Sequence, residues 1–263
     1  MSRLGRITSE TRAATRAFLR RRTAVFFTFL FPLLIVLIFG ALVQTQPTGG
    51  GLFTEPPAYY VPGYLAVVVL FTPLSRVGSE VARHRDDRRF EKLATTPLSR
   101  AEWLLSQTLV NVAIIGVAAV LVLAVMVAVT GATVAPSPWL VPFLAIGVAL
   151  FCGIGALLGS FTDSQDGVIA ASNTLALPLL FLSETFVPPA LLPEWFRPLI
   201  ELSPLTYFSR GVRAVVTDPG AGVEGTVVAV WPAGPDPAAN LAILSMLALV
   251  TFGLGALTLP RTD

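Results

Sequence analysis

The chain has 263 residues, 54% hydrophobic and only 13% charged, with a net charge of +2. A soluble domain carries about 25% charged residues, so this composition excludes an ordinary soluble globular protein. A bilayer core of about 30 Å takes roughly 20 apolar residues per helix, which leaves room for six spans and none for a sizeable soluble domain.

Residues 1–22 are basic. Leu4, Ile7, Ala14 and Phe18 fall on one stripe at helical spacing, with Arg3, Arg6, Arg12, Arg16 and Arg20 to Arg22 off it. This predicts an amphipathic helix in the membrane interface. The alternative, the charged region of a signal peptide, requires a cleavage site, and the apolar run after Arg22 is span-length without a small-x-small site. The first span is expected over 24–43 with Pro32 inside it, which neighbouring helices can accommodate. A Gly/Pro-rich loop follows, then a second span over 59–79, with Tyr59, Tyr60 and Tyr64 placed as an aromatic belt.

Residues 80–102 are the most polar stretch. The helix is expected to continue to about Ala94 and stop before Pro97, because proline disfavours helix at the residue before it. Ser99 and Glu102 have capping-box spacing, and Leu98 and Trp103 have staple spacing. A third span follows over 104–129 and a fourth over 139–161. The fourth contains Gly155-x-x-x-Gly159, a small-residue face for close packing. Asp163 and Asp166 mark a polar turn before a fifth span, 168–183. The segment 184–238 is broken by prolines, and a sixth span is expected over 239–259. The arginines concentrate before the first span and in 80–102, so the positive-inside rule places both termini and the 80–102 loop in the cytoplasm.

Lys92 is the only lysine and lies in Phe-Glu-Lys-Leu, so a phosphate-binding G-x-x-x-x-G-K-[ST] loop is excluded. His84 is the only histidine, which excludes an H-E-x-x-H metal site; it reads as a solvated loop residue. Cys152, the only cysteine, reads as a small packing residue and forms no intrachain disulfide. Polar residues within spans mark either helix contacts or a pathway; Asn111, Ser172 and Asn173 are the candidates, and Glu184 lies at a span end. Phe90, Leu93 and Leu98, apolar among charges, read as a small docking surface with a charged rim. No chain of acidic residues crosses the spans. An ion-gradient-driven secondary transporter and a non-transport membrane scaffold remain as alternative functions.

Three segments resemble the membrane subunit of ABC-2 type exporters, the group of drug-resistance, polysaccharide and lipid export permeases. Residues 80–107 (EVARHRDDRRFEKLATTPLSRAEWLLSQ) are similar to E-R-x-x-G-T-L-E-x-L-x-x-T-P-[LV]-S-R. Residues 178–187 (PLLFLSETFV) are similar to P-x-x-F-x-S-G-x-x-[FY]. Residues 192–215 (LPEWFRPLIELSPLTYFSRGVRAV) are similar to L-P-x-W-[LF] followed by x-P-[LT]-x-Y and a downstream arginine. Arg88-Arg89-Phe90 and Ser183-Glu184 depart from the motifs' Gly-Thr-Leu and Ser-Gly. The resemblance implies an all-α fold with an elbow helix, six spans and outer re-entrant helices in 184–238. It implies an 80–102 coupling loop that touches a separate ATPase subunit through Glu80, Arg83, Asp86, Phe90, Glu91 and Leu93. Asp163 and Asp166 are a possible second cytoplasmic contact, or helix N-caps. Asn111, Asn173 and Glu184 are possible pathway residues. ATP and Mg would be bound by the partner, with no cofactor in this chain. The implied setting is the plasma (cytoplasmic) membrane, with a second permease protomer and membrane lipids as further partners and no nucleic acid.

Overall fold

The computed structural model describes residues 2–42, 57–132, 134, 137–187, 192–216 and 236–259. Val43 and the first loop to residue 56, Pro188 and Pro189, residues 217–235 with Trp231, and the tail from residue 260 lie outside the described residues. Among the described residues every regular element is a helix.

Helix α1 (Arg3–Arg20) is capped by Ser2, whose hydroxyl accepts from the Gly5 amide. Its Ala14 and Phe18 are buried against Val110 and Ile114. Leu4, on the same stripe, stays exposed. Helix α2 (Arg22–Leu37) contains Pro32 and passes into a π turn at Ile38–Leu42. Helix α3 (Val61–Asp86) follows a short 3-10 turn and is buried on every face from Val61 to Leu70. That is the pattern of a helix surrounded by others.

Helix α3 stops at Asp86, short of the Ala94 expected from sequence. Arg88 adopts φ 51, ψ 33 and starts a separate helix, α4 (Arg89–Ala94). Two physical causes act together. Asp86 and Asp87 are unfavourable at the negative end of a helix dipole, and the turn lets Phe90 fold back onto α3.

Helix α5 (Arg100–Thr130) begins with the capping box read from sequence. Ser99 Oγ accepts from the Glu102 amide at 3.2 Å, and the Ser99 amide donates to Glu102 Oε2 at 2.8 Å. The helix ends at Gly131, whose φ of 64 suits glycine. Helix α6 (Leu140–Phe161) and helix α7 (Gln165–Phe181) are joined by a tight turn. Ser164 caps α7 by accepting from the Gly167 amide at 3.0 Å, so neither Asp163 nor Asp166 supplies the cap. Short pieces follow: a 3-10 turn at Glu194–Phe196, α8 (Arg197–Ile200) and α9 (Pro204–Val216). Helix α10 (Pro237–Thr258) is capped by Asp236.

Five helical stretches among the described residues are long and apolar enough to cross a membrane: Arg22–Gly40, Pro57–Asp86, Arg100–Thr130, Leu140–Phe161 and Pro237–Thr258. The sequence reading expected six. Helix α7 is the difference: its 17 residues rise about 26 Å at 1.5 Å each, short of a core of about 30 Å. The count of six therefore does not follow from length and composition.

Helix α3 packs on α5, α6, α7 and α9, and α10 packs on α6 and α9. Gly155 and Gly159 of α6 lie against the α3 backbone at Leu74 and Gly78, so the small-residue face serves contact within this chain. Phe26, Phe27 and Phe31 of α2, and Leu249, Leu254 and Leu257 of α10, are turned outward. Lipid or another subunit must cover such surfaces.

Candidate functional site

The charged end of α3 and the start of α5 meet at α4. His84 of α3, Phe90 of α4 and Trp103 of α5 form a triangle of rings, with centroids 5.4 Å (His84–Phe90), 5.3 Å (His84–Trp103) and 5.4 Å (Phe90–Trp103) apart. His84 Nδ1 donates to the Glu80 carbonyl at 2.8 Å. Trp103 is 1% exposed and Phe90 8%. Two expectations are corrected here. His84 is a packed member of an aromatic clasp, not a solvated loop residue. Phe90 faces inward, because an apolar ring in so charged a loop is best buried against other rings. Leu93 and Leu98 are partly buried against the same core.

What α4 presents outward is charge. Asp86, Asp87, Arg88, Arg89, Glu91 and Lys92 are exposed, with Arg89 and Asp87 paired at 3.0 Å. Glu80 and Arg83 are instead half-buried and paired with each other, and Arg21 reaches Glu80 at 3.7 Å. Arg6 of α1 grips Glu102 through two bonds, at 2.6 and 3.2 Å, and Ser106 Oγ donates to the Ile7 carbonyl at 3.2 Å. Helix α1 is thereby strapped along the start of α5.

Arg85 connects this elbow to the next polar turn. It donates to the Thr162 carbonyl at 2.5 Å and the Ser160 carbonyl at 3.4 Å. Asp163 and Asp166, both exposed, therefore stand at a fixed place relative to α4. The sequence reading had no signal for this link, since a surface arginine donating to backbone carbonyls leaves no motif.

The three pathway candidates sit in different settings. Asn111 is fully buried, donates to the Gln107 carbonyl at 2.9 Å, and lies beside Cys152 of α6. Asn173 is exposed on α7, while its neighbour Ser172 is buried. Glu184 is not at the surface. It is 6% exposed and held by Arg210 of α9 at 2.6 and 3.2 Å. Arg210 also takes Glu201 at 2.7 and 3.1 Å. Burial works against the Arg210 charge, but the hydrogen bonds to Glu184 and Glu201 more than offset it and hold its proton more tightly than usual. Arg213 donates to the Glu184 carbonyl at 2.7 Å and stacks over Tyr59 with its guanidinium carbon 4.1 Å from the ring centre. These contacts fasten the 184–216 region to the start of α3.

Truncating Phe90 tests the clasp. Phe90→Ala should cost about 3 kcal/mol and speed amide exchange across 87–96, read by hydrogen–deuterium exchange in detergent. Unchanged exchange would mean that α4 is held by its flanking turns alone.

A helical bundle with this much outward apolar surface and one charged, cross-braced end is a multi-pass all-α membrane protein. The family profile of ABC-2 type transporters matches residues 7–217, from α1 through α9. The chain belongs to the ABC-2 type transporter family, as a membrane component of transport. No curated protein matches the chain.

Proposed function

We propose that the chain is the permease of an ATP-driven exporter, worked by a separate ATPase subunit that binds ATP and Mg. Its termini and the α3–α4–α5 elbow face the cytoplasm of a plasma-membrane assembly that also contains a second permease protomer. The observation that carries this is the clasp. His84, Phe90 and Trp103 lock the short, charge-studded α4 to the most enclosed helix, α3, and to the long helix α5. A push on α4 would reach both without slack, as alternating access requires of a coupling element.

The contact surface in this reading is Asp86, Glu91 and the basic residues beside them, with Asp163 and Asp166 as a second point braced by Arg85. Phe90 and Leu93 support that surface from behind, and Glu80 and Arg83 set the α3 end. Asn111, Asn173 and Glu184 remain candidates for the pathway, the first two along the helices and the third at the opposite end from the elbow.

The test is co-purification of the tagged chain in mild detergent with mass spectrometry of what it retains. Wild type should hold a stoichiometric ATPase. The double variant Asp86→Arg, Glu91→Arg should lose it with an unchanged melting temperature, since both side chains are exposed. If wild type retains no ATPase and moves solutes on an ion gradient alone, the secondary-transporter reading replaces this one.

A further inference from the structure

Arg76 is the first charged residue of α3, at the end of its apolar stretch and flanked by the buried Leu74 and Val77. It stands four residues before Glu80, about 6 Å from the start of the charged end of α3 at 1.5 Å per residue. Its Nη1 is sealed from solvent with no hydrogen-bond partner. Its guanidinium carbon sits 5.0 Å from the centre of the Phe18 ring, which covers one face. The titratable side chains near it are the buried Cys152 of α6 and another cation, Arg21.

The local balance of charge is one-sided. Positions 76, 80 and 83 share one face of α3, since helix neighbours recur every three or four residues. The carboxylate on that face, Glu80, is engaged by Arg83 and by Arg21 at 3.7 Å, and among the described residues no ion pair joins it to Arg76. Arg83 also has a buried Nε without a partner. An arginine does not shed its proton to escape burial, and a buried charge is kept only when something pairs with it. A ring face is a partial substitute.

We propose that Arg76, with Arg21 beside it, is the binding site for a phosphate-class anion, the headgroup of an anionic membrane lipid. Three features fit that ligand. The guanidinium fork matches phosphate geometry. Arg76 is one turn below the polar level marked by Glu80, so its stem can extend toward the headgroups. The neighbouring outer surface is apolar, with Leu19, Phe26 and Phe27 more than half exposed for acyl chains. The site goes beyond the proposed coupling role and does not depend on it: an ATPase could dock on α4 whether or not a lipid sits at Arg76.

The test uses the delipidated full chain in detergent, titrated with phosphatidylglycerol or phosphatidylcholine and read by native mass spectrometry. Wild type should prefer phosphatidylglycerol by about tenfold, the scale of one or two arginine–phosphate contacts. Arg76→Gln should lose that preference and Arg76→Lys should keep part of it, so the lysine variant reports even if glutamine impairs folding. The pair Arg12→Gln, Arg16→Gln, on the exposed face of α1, should leave it intact. Thermal protection by phosphatidylglycerol but not by inorganic phosphate assigns the anion to a lipid; equal protection by both assigns it to the phosphate group alone. Equal preference in wild type and Arg76→Gln, or loss of preference on changing Arg12 and Arg16, overturns the proposal.

Discussion

Replacing Glu184 with alanine is expected to destabilise the chain by about 3 kcal/mol, the low end for breaking a buried ion pair. The carboxylate is 6% exposed and makes two bonds to Arg210. Removing it leaves a buried guanidinium with Glu201, a partner that is itself partly solvated. Glu184→Gly should be milder by about 1 kcal/mol. Glu184 sits at φ 54, a left-handed conformation that costs a residue with a Cβ roughly 1–2 kcal/mol and glycine little. Glu201→Ala should cost under about 1 kcal/mol, as expected for a solvated pair. The expected order in detergent melting is therefore Glu184→Ala lowest, then Glu184→Gly, then Glu201→Ala. Equal small losses at Glu184 and Glu201 would mean that water reaches the pair and that Arg210 is not its anchor.

Glu184 also shows what could be read from the sequence and what could not. The two clearest departures from the motifs the chain resembles are charged residues where those motifs carry glycine: Arg88 and Glu184. They are the two non-glycine residues with positive φ among those described. The turn at each place keeps the backbone shape that favours glycine, and a side chain has been added to it. At Arg88 the addition is an exposed charge on α4; at Glu184 it is an internal ion pair. The sequence alone marked both positions as odd. It could not reveal the compensation at Glu184, because Arg210 is 26 residues away and no local periodicity ties the two.

Local signals elsewhere were legible for the same reason that distant ones were not. The Ser99–Glu102 box is a contact between residues three apart, and the 155–159 glycine face is a property of one helix. Those interactions are written within a single turn or two. The clasp of His84, Phe90 and Trp103 draws on three helices, so the sequence showed only an apolar residue among charges and suggested an outward docking patch. In the structure Phe90 is buried, while Leu93 and Leu98 stay partly exposed. The fifth expected span is a shorter helix than the apolar run suggests. Its apolar run extends past Phe181, but Pro178 and the left-handed turn at Glu184 end the regular helix early, and the remaining apolar residues pack in the turn. There Phe186 lies against Tyr64, with centroids 6.0 Å apart.

The seam between α3 and α6 is the second place where a single change should have a large effect. A Cβ on Gly159 would fall on the Gly78 carbonyl oxygen and 2.8 Å from Val81 Cβ, and one on Gly155 would lie 2.6 Å from the Leu74 carbonyl oxygen. Backbone atoms cannot rotate aside, so the helices must separate, and overpacking of this kind costs about 1–3 kcal/mol. Gly116 of α5 is the control, because a Cβ there meets nothing within 4 Å and the change gains about 1 kcal/mol of helix propensity. Gly159→Ala should therefore lower the melting temperature by several degrees, at about 2–4 °C per kcal/mol for a chain of this size. Gly116→Ala should hold or raise it. The contrast bears on coupling as well as stability. Helix α3 receives the clasp at one end and Arg213, through Tyr59, at the other, so contact with α6 without intervening side chains lets the two helices move as one body. A variant Gly159→Ala that melts like wild type would mean that α6 slides off α3 at no cost. In the proposed coupling role, displacement of the elbow would then stop at α3 instead of reaching α6 and the α10 helix packed behind it.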